Sequence, residues 1–211
     1  METKTLKTLK TYVIRAIKKE QMAQNPFDSY KVKGQKVEMV YLTRREVARL
    51  EELYDTLTDL SLKRTLQSFL FCCFCGGIRV GDLPFLNQHN KSLSEIHYVP
   101  NKTRESSSKV IRIPINKKAR KHINPAGKIV PTYCSQVMNR HLKTLAQLAE
   151  IEKPITFHVS RHTFATLFLQ MGGKVEVLKE LMGHSAIKST MQYVHVTDQS
   201  KHSQMDAMDN L

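Results

Sequence analysis

The hydrophobic pattern of this 211-residue chain changes its period partway along, and this change limits the fold more than any other feature. Over most of the chain, apolar residues recur every three to four positions, which is typical of helices that pack through one face. Residues 96–100 and 110–115 instead alternate apolar and polar side chains, and the polar stretch 103–108 separates them. This alternation predicts the two strands of a β-hairpin. We therefore predict an α+β fold, mostly helical with one small antiparallel β-sheet.

Helical periodicity predicts helices over residues 5–21, 61–75, 133–150, 158–171, 175–182 and 189–194. A further helix is predicted to start at Thr43, because Thr43 and Glu46 have the spacing of a capping box. Gly76-Gly77 ends the helix over 61–75, and a short helix is predicted to follow through Leu83, with Pro84 as its limit.

Three segments are predicted. Residues 1–37 hold one amphipathic helix and a polar, basic linker. A single such helix cannot bury its own apolar stripe, so we interpret this segment as a remnant of another domain or as a docking element. Residues 38–198 form the main domain. Residues 199–211 are a polar tail with Met205, Met208 and Leu211 at helical spacing, a candidate docking helix.

The net charge of +14 is concentrated in one part of the chain. Residues 101–143 contain eleven Lys or Arg and one acidic residue, a local net charge of +10. Such a field attracts polyanions, of which nucleic acid is the commonest, although a solvated lysine-rich surface has the same composition. The basic residues do not line one face of an amphipathic helix, which disfavours an anionic membrane as the partner.

The apolar and cysteine content indicates a protein of a reducing compartment. No apolar stretch approaches the roughly 18–20 residues that a membrane span needs, and the first ten residues lack the apolar core of a signal peptide. Cys72, Cys73 and Cys75 lie in an apolar helix, so core packing is favoured over a metal site or a disulfide framework. We expect a cytoplasmic protein.

Six side chains have the chemistry needed to attack a phosphodiester without a metal. Arg79 follows a helix stop, Lys102 lies beside the hairpin turn, and His158 and Arg161 share a helix face at i, i+3; His184 follows a glycine, and Tyr193 comes nine residues later. Arginine binds phosphate oxygens bidentately, tyrosine can act as a nucleophile, and histidine and lysine can move protons.

Each of these residues taken singly has an ordinary structural interpretation, as a helix-end residue, a packing residue or a solvated charge. A zinc site at His158 and His162, at i, i+4, is disfavoured because Val159 occupies the position of the general base in His-Glu-x-x-His sites.

The order and spacing of the motifs carry more information than the single residues. The series comprises Gly-Ile-Arg-Val-Gly-Asp-Leu at 77–83, Asn-Lys-Thr at 101–103, His-Val-Ser-Arg-His at 158–162, Leu-Met-Gly-His-Ser at 181–185 and Thr-Met-Gln-Tyr-Val-His at 190–195. It resembles the tyrosine recombinase (phage integrase) family over roughly residues 40–200. Residues 1–37 resemble the end of that family's core-binding domain, which is usually complete in family members.

The resemblance implies a role for each matching residue. Arg79 and Arg161 match the arginines that clamp the phosphate, and Asp82 the acidic residue that supports the first arginine. Lys102 matches the hairpin lysine that protonates the departing 5′-oxygen, with Lys109 as a rival for this role. His158 matches the histidine that assists proton transfer, His184 a hydrogen-bond donor to the phosphate, and Tyr193 the nucleophile that forms a 3′-phosphotyrosyl link. The resemblance implies no metal, cofactor or ATP.

The resemblance also implies partners and a setting. The partners would be double-stranded DNA, further protomers in a DNA-bound tetramer, and accessory DNA-bending proteins, in the bacterial cytoplasm at the nucleoid and in the context of a mobile element. The residues predicted to bind DNA are Lys102, Arg104, Lys109, Arg112, Lys117, Lys118, Arg120 and Lys121. Two alternatives stay open: a catalytically silent DNA-binding fragment of a recombinase, and an enzyme like the type IB topoisomerases.

Overall fold

The computed structural model describes residues 2–30, 38–86, 94–101, 109–124 and 129–194. Within the chain two compact units are distinguished, Met1–Met39 and Val40–Leu211. Of the helices in the described residues, none has both the length and the apolar content to cross a membrane.

The first unit contains helix α1, Glu2–Lys18, followed by a turn stabilised by an asparagine side chain. Asn25 donates from Nδ2 to Asp28 Oδ1 over 2.7 Å and accepts at Oδ1 from the Phe27 amide over 3.0 Å. The Lys10 ammonium lies 5.9 Å from the centre of the Phe27 ring. The helix predicted over 5–21 is therefore present, with both ends three residues nearer the N-terminus.

In the described part of the second unit, helices flank one two-stranded sheet, as predicted. In chain order the elements are α2 (Arg44–Thr56), α3 (Leu60–Phe74), α4 (Leu83–Leu86), β1 (Glu95–Tyr98), β2 (Ile111–Pro114), α5 (Lys117–Lys121), α6 (Ser135–Leu148), α7 (Phe157–Gln170), α8 (Val175–Leu181) and α9 (Lys188–Val194). Apart from the short helix predicted before Pro84, the predicted helices of this unit are confirmed, with ends that differ by at most two residues. Helix α5, which has only a single buried side chain, Ala119, lies in a segment where periodicity predicts no helix.

Side-chain caps start the first helices of this unit. Thr43 and Glu46 form both bonds of the predicted capping box, and Asp59 accepts from the amides of Ser61 and Leu62 at the start of α3. The prediction that Pro84 limits a short helix is wrong, because α4 begins at Leu83 and includes Pro84. Proline is tolerated in a first helical turn, where its missing N–H would have no intrahelical partner.

The two strands pair antiparallel, with Ile96 opposite Ile113 and Tyr98 opposite Ile111. These four side chains are buried, whereas Arg112 between the two isoleucines is exposed. The alternation in the sequence therefore corresponds to one face on the core and one facing outward. The predicted turn, 103–108, lies outside the described residues.

Helix α3 is the centre of the core and packs against α2, α5, α6 and α7. Its nine consecutive residues from 65 to 73 are all buried, as a helix surrounded on every side requires. Cys72 and Cys73 belong to this run, and burial raises the pKa of both thiols well above its usual value. Because the thiolate is the reactive form, these cysteines act as small core residues. Helix α7, which is also mostly buried, packs directly on α3 and bears the His-Val-Ser-Arg-His motif.

Candidate active site

A pair of left-handed glycines carries the chain from the end of α3 toward Arg79. Gly76 and Gly77 have φ angles of 64° and 58°, which non-glycine residues rarely adopt. A Cβ on Gly77 would lie 3.2 Å from Arg161 Cα, so the loop runs directly against α7. The glycine pair therefore allows the loop that bears Arg79 to approach the turn of α7 that bears Arg161.

Arg161 is a buried side chain of the site, with 2% of its surface exposed. Its Nη1 donates to the Gly77 carbonyl and its Nη2 to the Met182 carbonyl, each over 2.7 Å. Burial, and then the nearby charge of Arg79, lower its pKa to about 10, so it still carries its charge at pH 7. Arg161 thus fastens the loop after α3 and the end of α8 to helix α7.

Arg79 is more open. Its Nη1 lies 4.0 Å from Asp82 Oδ2, and 30% of its side chain is exposed against 3% for Asp82. The other Asp82 oxygen, Oδ1, accepts from the Asn101 amide over 2.8 Å. Asp82 therefore links the Arg79 loop to the residue before Lys102. Lys102 itself lies outside the described residues, as does Arg104.

His184 is positioned by a tight turn and two hydrogen bonds. Gly183, with φ of 63°, ends the segment that follows α8, and its missing side chain admits Ile111 of β2, whose Cδ1 would lie 2.0 Å from a Cβ there. His184 Nε2 lies 2.9 Å from Arg161 Nη2, and Nδ1 lies 2.9 Å from Thr190 Oγ1. Because a guanidinium only donates, Nε2 accepts and Nδ1 carries the proton. Burial, and then Arg161 and Arg79, lower the His184 pKa to about 4, which fits this neutral ring.

Tyr193 lies on α9 with 1% of its surface exposed. Its hydroxyl is 3.2 Å from His162 Nδ1, and its ring stacks parallel to that of His184 at 6.5 Å between centres. Burial raises the pKa of the phenol, while Arg161 and Arg79 and a side-chain hydrogen bond from Arg161 act in the opposite direction. The phenol therefore remains protonated at pH 7 and is placed beside the buried arginine.

His158 lies in the wall of a cavity of about 330 Å³ that also exposes both arginines. The cavity is lined by Ile78, Arg79, Val80, Gly81, Asp82, Asn101, Phe157, His158 and Arg161. Burial, and then Arg161 and Arg79, lower the pKa of His158. Two guanidinium groups, one of them depressing the pKa of the other, give the cavity a positive potential that an oxyanion would neutralise. The arrangement can bind a phosphate group with a phenol nearby.

The structure thus brings together five of the predicted catalytic residues: Arg79, His158, Arg161, His184 and Tyr193. It also brings in His162, which the sequence raised only as a zinc ligand. The His162 ring lies edge-on to that of His158, with 4.5 Å between centres, and faces the Tyr193 hydroxyl. In the sequence, the one sign that His162 could belong to the site was its position directly after Arg161 and four residues after His158. Among the described residues, no group of three or more His, Cys, Asp or Glu side chains is arranged to hold a metal ion.

The predicted DNA-binding residues of β2 and α5 divide into two groups. Lys118 Nζ lies 2.7 Å from Glu51 Oε2, and Lys121 Nζ lies 2.9 Å from Asp55 Oδ2, both acids being on α2. Arg112, Lys117 and Arg120 are exposed, as is Lys109 before β2. The basic surface is therefore weaker around α2 than the count of residues suggests.

Comparison with known proteins connects this geometry to one family. Residues 41–200 match the phage integrase family model. The integrase of Haemophilus phage HP1 is 30% identical over 177 residues, which cover 82% of this chain and 48% of the phage protein. The tyrosine recombinase XerD of Listeria monocytogenes serotype 4b is 31% identical over 172 residues, covering 72% of this chain and 56% of XerD.

Solved structures agree with the sequence comparison. The catalytic domain of bacteriophage HP1 integrase superposes with a TM-score of 0.59 at 27% identity, covering 80% of this chain and 95% of that domain. The Tn1549 transposon integrase in complex with circular intermediate DNA superposes with a TM-score of 0.68 at 20% identity, covering 96% of this chain and 77% of the integrase chain. The chain spans about half the length of the curated relatives it matches. By motif, fold and sequence, this chain belongs to the phage integrase family of tyrosine recombinases.

Proposed function

We propose that this chain cleaves and rejoins DNA strands by transesterification, as the catalytic part of a site-specific recombinase that integrates or excises a mobile element. The observation that carries the proposal is the buried cluster in which Arg161 contacts His184 and Tyr193, with Arg79 on the same cavity. The relatives named integrase and the Tn1549 integrase structure with DNA support this assignment.

In the proposed reaction, Arg79 and Arg161 bind the non-bridging oxygens of the scissile phosphate. The Tyr193 oxygen attacks phosphorus, the bond from phosphorus to the 5′-oxygen breaks, and a 3′-phosphotyrosyl link remains. The departing 5′-oxygen takes a proton from Lys102, or from Lys109, with His158 assisting. A 5′-hydroxyl from another strand then reverses these steps, and because the link retains the phosphodiester's free energy, no ATP is consumed.

The preformed donors account for a large part of the expected acceleration. Negative charge on the phosphate oxygens increases in the transition state, and fixed donors stabilise it without reorganisation; each such donor is worth about 3–4 kcal/mol in comparable oxyanion sites. Arg161 is fixed by its bonds to two carbonyls. For His184 to act as a donor to phosphate as well, its Nε2 would need a proton in place of the Arg161 bond seen here.

We propose double-stranded DNA as the partner, bound through the exposed basic residues of the hairpin and α5. Lys109, Arg112, Lys117 and Arg120 are described and exposed, and Lys102 and Arg104 would extend this surface across the hairpin. Lys118 and Lys121 would have to leave, or share, their acidic partners to reach a phosphate. The proposed place of action is the bacterial cytoplasm, at the nucleoid.

We also propose assembly on DNA as a tetramer, helped by DNA-bending proteins, with residues 199–211 of one protomer docking on the next. An apolar groove of about 490 Å³ between α2, α5 and α7, lined by Phe164, Leu167 and Phe168, supports this docking. The groove is bordered by the basic residues Arg44, Lys117 and Lys118. The tail contains the apolar residues Met205, Met208 and Leu211 and the acidic residues Asp206 and Asp209, so it matches the groove in both polarity and charge. Deleting the tail should reduce assembly on DNA more than binding by single protomers; unchanged assembly would contradict the docking.

The decisive test is covalent capture. A pool of nicked duplexes of random sequence is incubated with the protein in EDTA and denatured, and DNA that stays linked to protein is recovered and sequenced. We expect an enriched site with the wild type and none with Tyr193→Phe. DNA binding without any adduct would identify a catalytically silent DNA-binding fragment. Relaxation of a supercoiled plasmid without a preferred site or strand exchange would instead identify a topoisomerase-like enzyme.

A further inference from the structure

The proposed reaction leaves one step without an assigned group, the removal of the phenol proton. Burial keeps the pKa of Tyr193 above its usual value, so the phenol is not ionised at pH 7 and must lose its proton as it attacks. With 1% of Tyr193 exposed, bulk water has little access to that proton. A protein group within hydrogen-bond reach of the hydroxyl is therefore needed.

His162 is placed to accept this proton. Its Nδ1 lies 3.2 Å from the Tyr193 oxygen, at the long end of hydrogen-bond distance, and the two ring centres are 5.6 Å apart. It is held from the other side by the edge-on contact with His158. His158 in turn lines the cavity with Arg79, so the two histidines face different parts of the site.

Among the described residues, His162 Nδ1 is the acceptor found within hydrogen-bond distance of the Tyr193 hydroxyl. The Arg161 guanidinium can only donate hydrogen bonds, so it cannot receive the phenol proton. His162 can accept at Nδ1 only as the neutral ring. The groups that face it are His158 and Arg161 on α7 and Tyr193 on α9; burial and the first two lower its pKa to about 4, so the ring is neutral at pH 7.

We propose that His162 is a catalytic residue of this site, the base that receives the Tyr193 proton during strand cleavage and returns it during rejoining. The inference rests on the proposed function. In cleavage, the O–H bond of Tyr193 breaks as its oxygen bonds to phosphorus, and the proton moves to Nδ1. The bond from phosphorus to the 5′-oxygen breaks, and this oxygen takes a proton from the proposed acid, Lys102 or Lys109. In rejoining, the 5′-hydroxyl attacks phosphorus, the tyrosine oxygen leaves, and Nδ1 gives the proton back.

The transfer has to be coupled to bond formation. In the resting site the phenol holds its proton far more tightly than His162 could, since burial raises the pKa of the phenol above its usual value and lowers that of His162 to about 4. As the oxygen bonds to phosphorus its affinity for the proton falls, and the negative phosphate stabilises an imidazolium nearby. General base catalysis of this kind contributes typically about 10²- to 10⁴-fold.

Two substitutions separate a base from a hydrogen-bond acceptor. In His162→Asn the amide oxygen lies near the place of Nδ1 and accepts a hydrogen bond without basicity, whereas in His162→Gln it reaches the place of Nε2. We expect both variants to cleave about 10²- to 10³-fold more slowly while binding the captured duplex as the wild type does. Near-normal cleavage by His162→Asn would overturn the proposal, because it would reduce His162 to a positioning residue.

A second substrate shows at which end of the reaction His162 acts. Replacing the bridging 5′-oxygen of the captured duplex by sulfur provides a leaving group that needs no protonation, since thiols ionise with a pKa of about 8.5. We expect the sulfur substrate to restore cleavage by Lys102→Ala and to leave the defect of His162→Asn in place. Restoration of His162→Asn would assign His162 to the leaving group and overturn the proposal. Absence of any adduct with the wild type on both substrates would overturn the proposed function itself, and this proposal with it.

Discussion

The two arginines of the site differ in almost everything except their charge. Arg161 is buried and donates to two backbone carbonyls and to His184, so at least three of its five N–H donors are used within the protein. Arg79 is partly exposed, and its nearest carboxylate oxygen is 4.0 Å away. One half of the site is therefore built into the fold, and the other half is held loosely at its edge. The difference shows that two side chains of the same kind and charge on one cavity can contribute very differently to the stability of the fold.

The largest effects are expected from removing each arginine in turn. Both Arg161→Ala and Arg79→Ala should slow covalent adduct formation at least about 10²- to 10³-fold. Only Arg161→Ala should also lower the free energy of unfolding, by about 3 kcal/mol, because it leaves the Gly77 and Met182 carbonyls unpaired in the interior. Urea unfolding of both variants measures this difference, and equal destabilisation would contradict the contrast between the two halves.

The glycines of the Arg79 loop provide the next test. Gly77→Ala should lower the free energy of unfolding by about 1–2 kcal/mol and slow cleavage. The backbone at this position has a left-handed conformation, and the new methyl group would lie only 3.2 Å from Arg161 Cα. Gly81 in the same loop has no atom within 4 Å of an added Cβ, so Gly81→Ala should stay within about 0.5 kcal/mol of the wild type. Comparable losses from the two substitutions would mean that contact with Arg161 does not hold the loop.

The buried histidines predict how stability depends on pH. His184 in the site and His122 at the C-terminal end of α5 both have a pKa lowered to about 4, mainly by burial. Below pH 6.5 these two histidines bind protons in the unfolded chain but stay neutral in the folded protein. The free energy of unfolding should therefore fall as the pH decreases from 6.5 to 4. Replacing either ring should flatten this fall in a titration of stability.

The two positions should separate by function. His122 packs between the Tyr54 and Phe74 rings, away from the arginines, so His122→Phe should flatten the pH profile without changing cleavage at pH 7. His184→Gln should change both. A loss of cleavage in His122→Phe would show that stability at this position and chemistry in the site are not independent.

The smallest effect concerns the basic surface. Lys117 is exposed, whereas Lys121 is paired with Asp55. Lys117→Gln should reduce the slope of log K against log salt by about 0.9, the value for one phosphate contact. Lys121→Gln should reduce it less, since its charge is already partly neutralised. Equal slopes for the two variants would mean that Lys121 leaves Asp55 when DNA binds.

Patterns carried by the local chain were predictable from the sequence, and contacts between distant segments were not. The capping box at Thr43 and the alternation of Ile111 and Ile113 follow from neighbouring residues and were correct. The start of α4 depends on the tolerance of a first turn for Pro84, which the sequence interpretation treated only as a limit. Helix α5 forms from a charged segment with one buried alanine, so its sequence lacks the apolar periodicity that identifies a helix.

The same distinction applies to the site. The motifs named Arg161 and Tyr193, but they did not show that one guanidinium binds Gly77, Met182 and His184 at once, because these residues lie 84, 21 and 23 positions away. The proximity of His162 to Tyr193 was not predicted for a related reason: it depends on α9 packing across α7, which brings a tyrosine 31 positions later to the Nδ1 of His162. Ion pairs from α5 to α2 likewise could not be counted from composition.

The contact between Gly183 and Ile111 restricts how this protein could be redesigned. Ile111 of β2 occupies the space that a side chain at position 183 would need. Pro100, after β1, is also close, with its Cγ 3.8 Å from the place of a Cβ on Gly183. The hairpin and the turn that bears His184 therefore pack directly against each other. Replacing one of them by the corresponding segment of a relative requires replacing the other as well. An engineer seeking new DNA specificity could vary the outward Arg112 freely, but would have to keep Ile111 and Gly183 as a matched pair.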